Sequence, residues 1–227
     1  MTGALPFKDR YVAGSMLAEH LAEYVHRPDV VVLALPRGGM PVGFEVSRAL
    51  QAPLDIFNVR RIGLPWRPEM SMGAIGSGGA LVLNEHLLKA ASINQEQLEL
   101  ILRTEWEELQ RSEHRYRDGQ MPCSVAGRVA ILVDDGLATG STMRAAADAL
   151  RRRAPSKIVV AVPVGLPETC GAFRAYADQV ICALTPPDLL AISDWYSDHS
   201  PTTDEEVREL LQRARAHTNG HSGHPAY

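Results

Sequence analysis

Cysteine is the scarcest chemical resource here: Cys123, Cys170 and Cys182 are far apart and form no CxxC pair. That spacing gives no basis for a disulfide framework or a zinc site, and it suits a reducing cytoplasm. No basic-then-apolar leader opens the sequence, and no apolar run approaches the roughly 20 residues a membrane span needs. A cytosolic protein away from membranes is the expectation. Positive charge is not in excess either, since 23 Lys and Arg face 27 Asp and Glu. The net charge of −4 leaves no general surface for nucleic acid, while a local basic pocket stays compatible with it. No internal repeat is present. What remains is 227 residues, 45% hydrophobic and 22% charged. That is the make-up of an ordinary globular chain with one substantial core.

Against this background one stretch organises the rest: Val129-Ala-Ile-Leu-Val-Asp-Asp-Gly-Leu-Ala-Thr-Gly-Ser-Thr142. Five apolar residues read as a fully buried parallel strand. Helix-forming residues begin after Thr142, so the unit is strand, loop, helix. In such a unit the loop N–H groups and the helix N-terminus converge on one spot that favours a phosphate. Thr139, Ser141 and Thr142 add hydroxyl donors, and Gly140 lets backbone come close to a ligand. Asp134 and Asp135 leave the carboxyl end of the strand, where open α/β sheets bind ligands, and suit sugar hydroxyls or Mg²⁺. No Lys follows Gly140, so this is not a Walker A loop, and the glycines are misspaced for G-x-G-x-x-G. An ordinary strand–helix turn with a Ser/Thr cap is the plain alternative, but a cap does not call for two acids.

Elsewhere the hydrophobic pattern predicts a helix over 9–26, a strand over 30–35, a helix over 41–50 and a strand over 54–59. Residues 60–79 hold prolines, glycines and three arginines and read as a long functional loop or lid. A short strand is expected at 81–83 and a long helix over 93–117, with i,i+4 pairs Glu99–Arg103, Glu107–Arg111 and Glu113–Arg117. Trp106 on that helix reads as core or as a subunit contact. A linker at 118–127 precedes the organising strand. Beyond it come a strand at 157–162, a helix at 168–176, a strand at 180–184 and a helix from 203 to about 217. The alternation means an α/β fold with a doubly wound, mostly parallel sheet. One domain over 1–216 and a disordered tail over 217–227 are expected, the histidines at 217, 221 and 224 being solvated tail residues rather than a metal cluster.

The loop from Val133 to Thr142 resembles the phosphoribosyl-pyrophosphate (PRPP) motif of type I phosphoribosyltransferases. Leu35-Pro-Arg-Gly-Gly39 sits where that family places its diphosphate-binding turn, which is often cis. Residues 60–80 match its flap or hood, and 93–117 is an added helical segment. More narrowly, these motifs, with Glu69 after the Arg60-Arg-Ile-Gly stretch and Trp195-Tyr196 before Asp204-Glu-Glu-Val207, resemble an uncharacterised bacterial branch of the family. Members of that branch often carry Lys at the place of Arg61.

The resemblance implies Mg²⁺-dependent displacement of diphosphate from C1 of PRPP by a nucleophile, usually a base nitrogen. It implies that Ala138, Thr139, Gly140, Ser141 and Thr142 hold the 5′-phosphate. Pro36, Arg37, Gly38 and Gly39 would take the diphosphate, and Asp134 and Asp135 the ribose hydroxyls and the ion. Arg61 is the favoured flap cation, with Arg60 and Arg67 behind it. Glu69 is a candidate base or a partner of a flap arginine, and Trp195 and Tyr196 either stack on the acceptor or pack the C-terminal segment. Family members commonly dimerise, so a homodimer is expected. The 6-oxopurine enzymes carry Asp at the place of Ala138, which makes hypoxanthine or guanine a poor expectation here. A PRPP- or nucleotide-sensing regulator on the same fold is the alternative.

Overall fold

The computed structural model describes residues 7–221, apart from the side chains of residues 68–69 and 218–221. Helix α1 (Arg10–Glu19) leads into β1 (Val30–Ala34), α2 (Gly39–Leu50) and β2 (Leu54–Ile56). Then come β3 (Val59–Leu64), β4 (Arg67–Gly76), β5 (Ala80–Leu83), α3 (Glu85–Ala90) and α4 (Gln95–Arg117). The chain continues through β6 (Val129–Val133), α5 (Ser141–Arg151), β7 (Lys157–Val164), α6 (Pro167–Ala172), β8 (Gln179–Leu184) and α7 (Asp204–His221).

Five strands form one parallel sheet in the order β2-β1-β6-β7-β8. Every residue of β1 and β6 is buried because helices cover both faces. Period-2 alternation divides them: Val30, Val32 and Ala34 join one core with α2 and α7, while Val31 and Leu33 join another with α5. The doubly wound parallel sheet expected from the sequence is the one observed.

Residues 60–79 differ from the expectation of an irregular lid. They lie mostly within β3 and β4, which pair antiparallel with each other and with β5 in a separate three-stranded sheet. Ile62, Leu64, Met72 and Ile75 are buried in a small core of their own, against Leu109 and Trp106 of α4. The glycines serve close approach rather than looseness: a Cβ at Gly73 would lie 2.4 Å from the Val82 carbonyl oxygen of the neighbouring strand. Trp106 is thus partly buried against this core.

Helix α4 starts at Gln95 with a capping box between Asn94 and Gln97, and a separate short helix, α3, precedes it. Two of the three expected pairs form, Glu107–Arg111 at 3.6 Å and Glu113–Arg117 at 2.6 Å, whereas Glu99 accepts from Gln95 at 2.9 Å. Arg117 also reaches the buried Asp55 of β2, Nε to Oδ1 3.1 Å, and so fastens α4 to the main sheet.

Helix α7 runs to His221 rather than stopping near 217, each further residue adding one backbone hydrogen bond to an existing helix. The rest of the expected tail, including His224, lies outside the described residues. Cys170 and Cys182 form a disulfide, contrary to the sequence expectation. The return from α6 to β8 brings them together, with their Cα atoms 6.8 Å apart, a fact of topology that no local spacing announces. Among the described residues no helix is long and apolar enough to cross a membrane.

Candidate functional site

Because β1 and β6 pair in parallel register, their carboxyl ends release two loops side by side. The first is the turn through Pro36 and Arg37, whose peptide bond is cis, and the second carries Asp134 to Gly140. The Leu35 N–H donates to the Val133 carbonyl at 2.9 Å. A Cβ at Gly38 would lie 2.5 Å from Asp135 Oδ2, and one at Gly39 would lie 2.8 Å from the Asp134 Cα. Only glycine lets the two loops touch in this way.

Gly140 stands just before α5 with φ 70° and ψ 5°, the left-handed region, and no side chain caps the helix. Its outer face rests on Phe173, which a Cβ would meet at 2.4 Å. Thr169 Oγ1 donates to the Ala138 carbonyl at 2.7 Å and steadies the same loop. Thr139 and Ser141 face each other, Oγ1 to Oγ 3.4 Å, at the mouth of the α5 N-terminus, with Thr142 exposed in its first turn. Hydroxyls and uncapped N–H groups gathered at one helix end make an anion cradle.

That cradle forms one wall of a cleft of about 1040 Å³. Arg61 of β3 also lines it, with His86 at the start of α3 and Arg144 of α5. The expected cation and the expected phosphate loop therefore do face a common space. Arg60 does not: its Nε donates to Glu105 of α4 at 2.6 Å. Arg67 is exposed, with its Nη1 3.9 Å from the Met70 sulfur, and the side chain of Glu69 lies outside the described residues. Arg37 is exposed, 3.8 Å from Asp204, and is not part of the cleft lining. Asp204 also binds Arg115 at 2.8 Å and Tyr116 at 2.9 Å, and the Arg115 guanidinium holds its carboxyl below the usual range.

The two acids have different surroundings. Asp135 Oδ2 accepts from Arg10 Nε at 2.9 Å and lies 2.8 Å from Arg10 Nη2 and 3.2 Å from His199 Nε2. Arg10 Nη2 is 2.7 Å from the same His199 nitrogen. His199 Nε2 accepts from Arg10 in one ring tautomer and donates to Asp135 Oδ2 in the other. Arg10 Nη1 donates to the Ser200 carbonyl at 2.8 Å, and Tyr196 donates to the Asp135 carbonyl at 2.6 Å. Burial, then the Asp135 charge, push the Tyr196 hydroxyl well above its ordinary value. Tyr196 thus packs the C-terminal segment, its ring against Phe7 and His199, and Trp195 lies in the same apolar cluster.

Among the described residues Asp134 makes no ion pair, and Arg10 acts on it only from a distance. Asp134 Oδ1 accepts the Asp135 N–H at 2.9 Å, while burial and then the Asp135 charge raise its carboxyl well above the ordinary value. A cation or hydroxyl donor nearby would relieve that penalty. Among the described residues no group of three metal-ligating side chains is placed to cage an ion. Two adjacent carboxylates at a strand end would suit a Mg²⁺ ion held chiefly by substrate and water.

Arg10, His199, Thr169, Phe173 and Arg144 were not legible as site residues. The first two stand 125 and 64 positions from Asp135, and only the closure of both chain ends over the sheet brings them there.

A family model described as the phosphoribosyl transferase domain matches residues 11–189. Two curated relatives, from two strains of Mycobacterium tuberculosis and each named "Putative phosphoribosyl transferase", are 42% identical over 208 residues. The alignment covers 92% of this chain and 47% of each relative, so the chain spans about half the length of the curated relatives it matches. The crystal structure of TT1426 from Thermus thermophilus superposes with a TM-score of 0.82 at 39% identity, covering 92% of this chain and 99% of that one.

Proposed function

The chain belongs to the phosphoribosyl transferase domain family, and from that premise we propose that it transfers the 5-phosphoribosyl group of PRPP to a nitrogen of a small acceptor, releasing diphosphate. The observation that supports this most is the contact between the Arg37 turn and the Asp134–Asp135 loop, one helix start away from an uncapped anion cradle. A sugar carrying phosphate at one end and diphosphate at the other needs that order of partners.

Each subsite has its own residues. The N–H groups at the start of α5, with Thr139 and Ser141, hold the 5′-phosphate, and Ala138 and Thr142 border it. The Gly38 N–H and the forked cation of Arg37 hold the diphosphate, while Gly39, whose N–H is bound to Leu35, borders it. Asp134 and Asp135 orient the ribose hydroxyls. As the acceptor lone pair forms the C1–N bond, the C1–O bond breaks and its electrons leave on diphosphate oxygen. The transition state is cationic at the sugar, so positioning and stabilisation of the departing charge carry the catalysis. Mg²⁺, when bound, neutralises part of the diphosphate charge. Alanine at 138 offers no carboxylate to an acceptor nitrogen, so a 6-oxopurine is disfavoured. A soluble cytoplasmic homodimer belongs to the same reading.

Incubation with PRPP, Mg²⁺ and a panel of nitrogenous bases tests this by diphosphate release. Release that depends on both metal and base supports transfer. PRPP binding without release with any base moves the reading to a PRPP sensor, which Ala138 favours.

Arg61 and Arg60 give a contrasting pair. Arg61→Ala is expected to raise KM for PRPP about 10-fold, the scale of one lost charge-assisted contact of about 1.5 kcal/mol, with little change in melting temperature. Arg60→Ala is expected to leave KM alone and lower stability by less than about 1 kcal/mol, since its partner is Glu105 at the surface of α4. Equal KM values for the two variants would remove Arg61 from the site.

A further inference from the structure

We propose that Arg10 is a positioning residue for this reaction, acting through Asp135: its guanidinium, seated on the 199–200 segment, sets the carboxylate so that one oxygen is fixed and the other is offered to the ribose. The inference rests on the proposed phosphoribosyl transfer and deepens it.

The geometry of the pair carries the argument. Arginine and carboxylate in a purely structural pair commonly meet fork to fork, using both oxygens. Here Nε and Nη2 both converge on Oδ2, at 2.9 and 2.8 Å. Asp135 Oδ1 has no protein hydrogen bond among the described residues. The remaining guanidinium nitrogen is held by the Ser200 carbonyl at 2.8 Å, and the Tyr196 hydroxyl fixes the Asp135 backbone carbonyl at 2.6 Å. Arg10 is itself buried and is the first residue of α1, whose start is set by Asp9 accepting from the Val12 N–H at 2.9 Å. Its Cα therefore has little freedom, and the carboxylate inherits that rigidity. Position 10 and positions 196–200 also lie outside the residues 11–189 that the family model matches. The clamp is built from segments flanking the shared domain, onto an acid inside it.

The test compares Arg10→Met, Arg10→Lys, Asp135→Asn and the Arg10→Met/Asp135→Asn double variant. PRPP affinity by calorimetry, kcat, KM and melting temperature are measured on each. The expected result is a PRPP affinity about 10-fold weaker in Arg10→Met, partial recovery in Arg10→Lys, and no further weakening when Arg10→Met is added to Asp135→Asn. Should Arg10→Met fail to fold, Arg10→Lys keeps the charge without the fork and carries the comparison. Melting temperatures that fall while PRPP affinity stays at the wild-type value would overturn the proposal, leaving Arg10 a structural tie. So would losses of affinity that simply add in the double variant. A wild-type chain that binds no PRPP overturns instead the parent reading, and this one with it.

Discussion

Asp134→Asn is expected to lower kcat/KM for PRPP by about 10²- to 10³-fold while raising the melting temperature at pH 7. The loss follows from removing one preorganised partner of the reacting sugar, which is worth about 2.7–4 kcal/mol where such groups have been deleted from active sites. The gain follows from the surroundings of the carboxyl. Burial and the neighbouring Asp135 charge raise its folded-state value above that of the unfolded chain. A raised value means that the stability the group contributes is complete below the unfolded value, about 3.9, and is lost as pH rises through the folded value. At neutral pH the wild-type chain therefore carries a penalty that asparagine does not. The amide oxygen can still accept the Asp135 N–H, so the backbone contact survives. A gain of about 1 kcal/mol corresponds to about 2–4 °C in a chain of this size. The gap between variant and wild type should widen as pH rises and close toward pH 4. Calorimetric melts across that range, beside steady-state kinetics, check both halves. Unaltered turnover would remove Asp134 from the site, and a pH-independent drop in melting temperature would contradict the electrostatic account. Asp135→Asn shares the loss of activity but should lower stability, because Arg10 is then buried against an amide.

That difference between two adjacent aspartates also marks how far the sequence could be read. The loop itself was legible because its chemistry is contiguous: a strand buried on both faces, two acids and a Gly/Thr/Ser turn all fall within 14 residues. The parallel sheet was legible for the same reason, since β1 and β6 are unbroken apolar runs. The surroundings of Asp135 were not, because Arg10 and His199 reach it through the docking of two chain ends that share no motif with it. Residues 60–79 misled by composition. Glycine signals a loose loop and a close strand contact with the same letter, and only the Val82 carbonyl beside Gly73 tells them apart. The Cys170–Cys182 bridge likewise depends on the path from α6 to β8, not on any spacing.

Gly39→Ala should be strongly damaging, and its reason is visible atom by atom. The added methyl would stand 2.7 Å from the Val133 carbonyl oxygen, 2.8 Å from the Asp134 Cα and 3.2 Å from Asp134 Oδ1. The two nearest of these are backbone at the end of β6, so no rotamer change makes room. Relief requires the diphosphate turn to move away from the acid loop, against the Leu35 N–H bond to Val133 at 2.9 Å and the Gly39 N–H bond to Leu35 at 3.0 Å. Overpacking of this kind destabilises by about 1–3 kcal/mol. Function should suffer more than stability, because the displaced contact joins the diphosphate and ribose subsites, and a misplacement of about 1 Å is enough to lower a rate about 10²-fold. Gly171→Ala supplies the contrast. That glycine is also helical, in α6, yet an added methyl meets nothing within 4 Å. It should gain about 0.5–1 kcal/mol from the better helix former and keep wild-type kinetics. Paired denaturation curves and PRPP saturation kinetics separate the cases. If Gly39→Ala retained wild-type kinetics, the close seating of the two loops would not be what brings diphosphate and ribose into one site.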